Sequence, residues 1–208
     1  MSLTPYVAAV VALGCVAVSA PAQAADDDSV VYVLTPASRF DVRTGKAGLF
    51  GFAGHGHLVR ARACSGRIVY YPNRPTGSHV EITVPTESLE VLTPPDTAEI
   101  RKVTAAMRDE VLHVERYPTL SFVSTAVTPT NSGLDVRGQL ILEGQTRDVD
   151  VVVHLEFAAD TLRANGGFAI KQSDFGIRPY RGGPAGTVRV ADRVTFDLAA
   201  VAIRSRGP

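Results

Sequence analysis

The sharpest polar motif in this 208-residue chain is His55-Gly56-His57. In a strand, residues two apart project to the same face, so both imidazoles can approach one metal ion or one polar head group. A metal- or haem-linked centre would need a third or fourth ligand, from His79, His113 or His154. The plainer alternative is a pair of polar side chains packed among glycines on one face or rim. Arg60 and Arg62 follow with opposite parity, where guanidinium forks can hold a phosphate or carboxylate, or simply face water. Ser173-Asp174 sets a hydroxyl beside a carboxylate, a pair that more often hydrogen-bonds its own backbone in a turn. Gly51 to Gly56 is glycine-rich but lacks dinucleotide spacing, and Gly-x-Ser-x-Gly, P-loop and His-Glu-x-x-His motifs do not occur. The chain is therefore read as a binding protein and not an enzyme, with no cofactor assigned.

The aromatics point the same way. Phe40, Phe50, Phe52, Phe122, Phe168, Phe175 and Phe196 either fill a core or line a pocket for an apolar guest. Burying one five-carbon apolar unit is worth on the order of 3 kcal/mol gross. Ordering a flexible tail offsets much of that, so tight binding needs several units and a long tunnel.

The elements that position these residues are mostly strands. Val31 to Val42 is one, broken at Pro36; Leu49 to Val59 is a second, curved by its glycines. Gly66 to Tyr71 leads into a turn at Pro72 to Gly77. Val80, Ile82 and Val84 then alternate with His79, Glu81 and Thr83. Leu120, Phe122 and Ala126 share parity in the next strand. Asn131-Ser132-Gly133 and Glu143-Gly144 read as hairpin turns, and Asn165-Gly166 is the strongest such signal. Val194, Phe196 and Leu198 alternate in a last strand. One amphipathic helix, about 97–112, carries Ile100, Val103, Met107 and Val111 on one stripe. Met107 and Val111 are expected inward, with Arg101, Arg108 and Glu110 toward water. These elements give eight or nine antiparallel strands in an all-β chain covered by one helix, with an eight-stranded barrel the expected closure.

Tyr6 to Ala20 is apolar and uncharged and ends in Pro21-Ala22-Gln23-Ala24, the pattern of a secretory signal peptide over residues 1–24. At about 15 residues it is shorter than the roughly 20 a membrane span needs. Residues 25–208 then form a single domain in the periplasm or outside the cell. Acidic and basic residues balance at 21 each, so nucleic acid is not an expected partner. Cys64 is left unpaired and is read as a buried thiol, with intermolecular pairing in a homodimer as the alternative.

Five segments in order carry a family resemblance: Pro36 to Phe40, Met107 to Leu112, Tyr117 to Thr125, Val136 to Leu140 with Gln145 to Val149, and Ser173 to Ile177. Together they resemble the YceI-like, lipocalin-like polyisoprenoid-binding proteins of the periplasm. The resemblance implies a barrel holding an isoprenoid or quinone-like lipid by apolar burial. The expected ligand-binding set is Phe40, Phe52, His55, His57, Met107, Leu120, Phe122, Phe168 and Phe175. Alternatives are a metal- or haem-linked factor using His55 and His57, or a stress-related barrel packed solid.

Overall fold

The computed structural model describes residues 29–46, 56–93, 97–182 and 188–205. Three barrel strands are each broken in two. These are β1 (Val30–Leu34) with β2 (Arg39–Lys46), β3 (Leu58–Ala61) with β4 (Ser65–Tyr70), and β5 (His79–Pro85) with β6 (Leu89–Val91). Five run on: β7 (Thr119–Thr130), β8 (Gly133–Leu142), β9 (Gln145–Ala158), β10 (Thr161–Lys171) and, after the two-residue β11 (Arg181–Gly182), β12 (Val188–Arg204). Each strand pairs antiparallel with the next. β12 also pairs with both β1 and β2, so the sheet closes into the expected eight-stranded barrel.

The break at Pro36 follows from its missing N–H. There the chain turns, Ser38 N–H reaching Thr35 O at 3.0 Å, before β2 resumes pairing with β12. Along β8, Val136, Leu140 and Leu142 are buried while Asp135, Arg137 and Gln139 are exposed, the alternation of a sheet wet on one side.

Asn165-Gly166 is not a turn. Both residues sit inside β10, paired with His154 and Val153 on one side and with Ala199 and Leu198 on the other. The hairpin falls instead at Ala159-Asp160, where Ala159 takes φ 49°. Gly166 serves close backbone approach: a Cβ there would lie 2.5 Å from Val152 O. The parity in β7 also differs from expectation. A bulge between Ser124 and Ala126 shifts the register, leaving Ala126 exposed and turning Val127 inward.

The helix α1 (Thr97–Ala106) is shorter than expected, and Met107–Val111 continue it as a single π turn closed by Leu112 N–H on Met107 O at 2.9 Å. Its side chains complete the edge of β6. Val91 N–H donates to Thr104 Oγ1 at 3.2 Å, and Arg108 donates from Nε and Nη2 to Leu89 O at 3.2 and 3.0 Å. Arg108 is thus not a free surface cation but a cap on an edge carbonyl. The return into β7 is fastened by Thr86, 2% exposed, whose N–H and hydroxyl donate to Pro118 O and Tyr117 O at 2.9 and 2.7 Å. Tyr117 packs on Gly144, where φ is 69° and a Cβ would lie 2.8 Å from the ring.

Candidate functional site

Strand direction gives the barrel two ends. At one, β8 passes to β9 and β10 leads to a 3-10 turn, Gln172–Phe175; the helix lies at this end beside β6. There Leu142, Ile170, Phe175, Ile177 and Val194 form a buried plug, against which Val111 and Leu112 pack. At the other end lie the β7–β8 and β9–β10 turns and the β4–β5 connection.

Between plug and mouth is a cavity of about 160 Å³. Its wall is apolar because the inward positions of all eight strands alternate with the charged outer face: Val80, Ile82 and Val84 from β5, Leu120 and Phe122 from β7, and Phe168 from β10 all meet there. Phe168 stacks on Phe196 at 4.6 Å and 8°. Phe122 lies across Gly138, where a Cβ would come within 2.6 Å of Val123 O and closer still to the ring. The interior is therefore not packed solid.

The expected ligand set divides accordingly. Phe40, Leu120, Phe122 and Phe168 line the cavity. Phe175, 2% exposed, is in the plug, and Met107 packs against Val59, Val84, Leu89 and Val91 under the helix. Neither reaches the cavity wall, because the 3-10 turn and the π turn aim them into the seal. His57 lies at the helix end, its Nδ1 donating to Thr93 O at 2.8 Å, far along the barrel from the mouth. Phe52 and His55, with the Leu49–Val59 glycine-rich run up to residue 55, lie outside the described residues, as do residues 1–28. Among the described residues there is no group of three or more His, Cys, Asp or Glu able to hold a metal.

Sequence reasoning missed the mouth. Tyr70, Ser78 and His79 border the cavity there, with the Phe157 ring tilted against Tyr70 at 5.0 Å and against Tyr32 at 6.3 Å. His79 Nδ1 is 3.1 Å from Ser124 Oγ, and its Nε2 is 3.0 Å from Glu81 Oε1. Ser124 is buried at the β7 bulge and accepts Val80 N–H at 2.9 Å. Only the alternation through His79 hinted at this; the partner serine comes from a strand 45 residues later.

The outer wall accounts for the arginines. Arg60 holds Asp41 bidentately at 2.7 and 2.8 Å, and Arg62 pairs with Glu90 at 2.5 Å. The Arg60 hydrogen bond keeps the Asp41 carboxyl below its usual range against the opposing effect of burial. Ser173 donates its hydroxyl and its N–H to Asp192, at 2.6 and 2.8 Å, and so lowers that carboxyl too. Half-buried Cys64 has its thiol pushed up by desolvation.

A closed antiparallel barrel with one covering helix and an apolar hollow defines a lipocalin-like barrel. The family profile described as the YceI-like domain matches residues 36–202, and the chain belongs to that family. The UPF0312 protein of Pseudomonas aeruginosa strain PAO1 is 28% identical over 119 residues, which cover 54% of this chain and 59% of that relative. The matched stretch thus spans less than two thirds of the relative's length. Burkholderia cenocepacia BcnA superposes with a TM-score of 0.65 at 20% identity, covering 81% of this chain and 98% of BcnA. A polyisoprenoid binding domain from Saccharophagus degradans, implicated in plant cell wall breakdown, gives 0.57 at 15% identity over 84% and 98%. At these identities the likeness is one of fold. Among the described residues no helix is long and apolar enough to cross a membrane.

Proposed function

We propose that the protein binds and carries a long apolar molecule, of the polyisoprenoid or quinone class, in the barrel cavity. The observation that carries this reading is the cavity wall, in which no Lys, Arg, Asp or Glu occurs among the described residues. Such a wall favours an apolar guest through the area it removes from water. The printed description of the Saccharophagus degradans domain as polyisoprenoid binding supports the same class. Size limits the mode of binding. On this measure a cavity of about 150 Å³ takes a benzene-sized guest. A polyprenyl chain therefore extends through the mouth or displaces lining rings such as Phe122 and Phe168.

The leader-like residues 1–24 support export, and carriage between membranes suits a barrel that hides a lipid from water. The test is extraction of the purified mature protein with organic solvent, followed by mass spectrometry. Stoichiometric isoprenoid lipid is expected. Empty extracts, together with no uptake of added polyprenol or quinone, would overturn the proposal.

A further inference from the structure

The barrel interior has no buried polar group to spare. Among the described residues every fully buried side-chain nitrogen or oxygen already has a hydrogen-bond partner. Thr104 Oγ1 accepts Val91 N–H at 3.2 Å, the Thr86 hydroxyl donates to Tyr117 O at 2.7 Å, and Gln172 Nε2 donates to Ala191 O at 2.8 Å. Ser124 Oγ accepts Val80 N–H at 2.9 Å and lies 3.1 Å from His79 Nδ1. The backbone groups of the wall are used in the sheet, which closes through β12 onto β1 and β2. Three residues with polar side chains, Tyr70, Ser78 and His79, border the cavity, and the rest of its lining is apolar. Of these, Ser78 Oγ accepts Tyr71 N–H at 3.1 Å, and His79 Nε2 lies 3.0 Å from Glu81 Oε1, so both are engaged within the protein.

We propose that the barrel recognises the hydrocarbon part of its guest alone: it takes chains without a polar head as readily as chains that carry one, and a head, where present, stays outside the cavity. This rests on the carrier reading above and deepens it, from a class of lipid to the part of the lipid that is read. The physical reason is desolvation. A hydroxyl drawn inside would give up water for an apolar wall whose buried polar atoms are already paired, and an ionised phosphate would lose far more. Methyl and methylene groups gain from the same wall in proportion to the area they hide. Ala164 of β10 stands directly across the ladder from Ala200 of β12, and both line the cavity. Their small side chains leave room for a chain against that wall, so girth and length are what the site can measure.

The experiment is displacement of the fluorescent probe N-phenylnaphthylamine from the full mature protein by four competitors that share one prenyl chain. These are farnesene, farnesol, farnesyl diphosphate, and the diol that carries a second hydroxyl at the far end of farnesol. Compared at free concentrations below micelle formation, the first three are expected to displace the probe within about threefold of one another. The diol is expected to need at least about tenfold more, because one of its polar ends must enter the apolar hollow. Ala164→Leu, which fills the cavity from its wall, is expected to weaken the first three by a common factor of about ten. Ala200→Leu replaces it if the melting curve shows that the first variant does not fold. A preference of about tenfold or more for farnesol or the diphosphate over farnesene overturns the proposal and leaves the carrier reading standing. A diol that binds as well as farnesol does the same, as does a cavity variant that weakens one competitor and spares the others. If the probe and every competitor fail to bind, the carrier reading falls and this inference with it.

Discussion

The two ends of the barrel spend their polar groups differently. At the helix end they close backbone valences: Thr104 takes Val91 N–H, Arg108 takes Leu89 O, Thr86 holds the chain entering β7, and Asp192 caps the 3-10 turn. At the mouth, Tyr70, Ser78 and His79 border a cavity that is almost wholly apolar. The apolar groups divide in the same way. Phe175 and Ile177 are buried at 2% and 4%, whereas Phe157 at the mouth is 48% exposed. One end is built as a plug and the other as an entrance, and the contrast is testable by perturbing matched groups at each.

The largest difference is expected between the two phenylalanines. Phe175→Ala removes a fully buried ring from the plug and is expected to cost about 3–4 kcal/mol in urea unfolding. Phe157→Ala is expected to cost under about 1 kcal/mol, because half of the ring is already in water. Equal losses would mean that the mouth aromatics are structural and that the contrast is false. Probe exchange sharpens the point: Phe157→Ala is expected to change the rate of N-phenylnaphthylamine uptake, and helix-end variants are not.

A smaller effect separates the hydroxyls. Thr104→Val keeps the volume but orphans a buried N–H on β6, an expected loss of about 1–2 kcal/mol that Thr104→Ser recovers. Ser78→Ala at the mouth is expected to leave stability within about 0.5 kcal/mol. A Thr104→Val protein of unchanged midpoint would show that the helix does not seal the β6 edge.

The barrel was legible because alternation of period two runs through β8 and β9 and, past the irregularity between Val190 and Val194, through β12, and only a sheet with one buried face requires that. The family segments then fixed the number of strands. Features that depend on partners distant in sequence were not legible. Asn165-Gly166 has turn chemistry, yet its flanking residues Leu162, Ala164, Phe168 and Ile170 keep one face of a continuous strand, and tertiary pairing overrides the local preference. The Ser124 bulge leaves no mark in the sequence, so Ala126 was assigned the place that Val127 holds. Phe175 and Met107 were expected at the ligand from the family resemblance, aromatic character and the helix stripe, none of which tells a plug from a wall. The rim was invisible for the same reason: His79 is one polar residue in an alternating strand until Ser124 arrives from across the sheet.

The last and smallest expected effect concerns pH at the sealed end. The Ser173 hydroxyl, and then its N–H, hold the Asp192 carboxyl below its ordinary value. A carboxyl lowered by folding contributes stability above the unfolded value of about 3.9 and loses it as pH falls through the lower folded value. Acid below about pH 4 is therefore expected to loosen the turn that aims Phe175 into the plug. Asp41 has the same sign through Arg60, so the wild type mixes two losses. Hydrogen exchange separates them by place. The Ser173 amide, which donates to Asp192, is expected to lose protection in that window, and Asp192→Asn should remove its pH dependence while leaving that of the β2–β3 amides. Because Asp192 is only partly covered, the change in global stability is expected to be slight. A Ser173 amide whose protection stays flat from neutral pH down through pH 3 would show that the carboxylate does not hold this turn. The integrity of the plug would then rest on the buried rings alone.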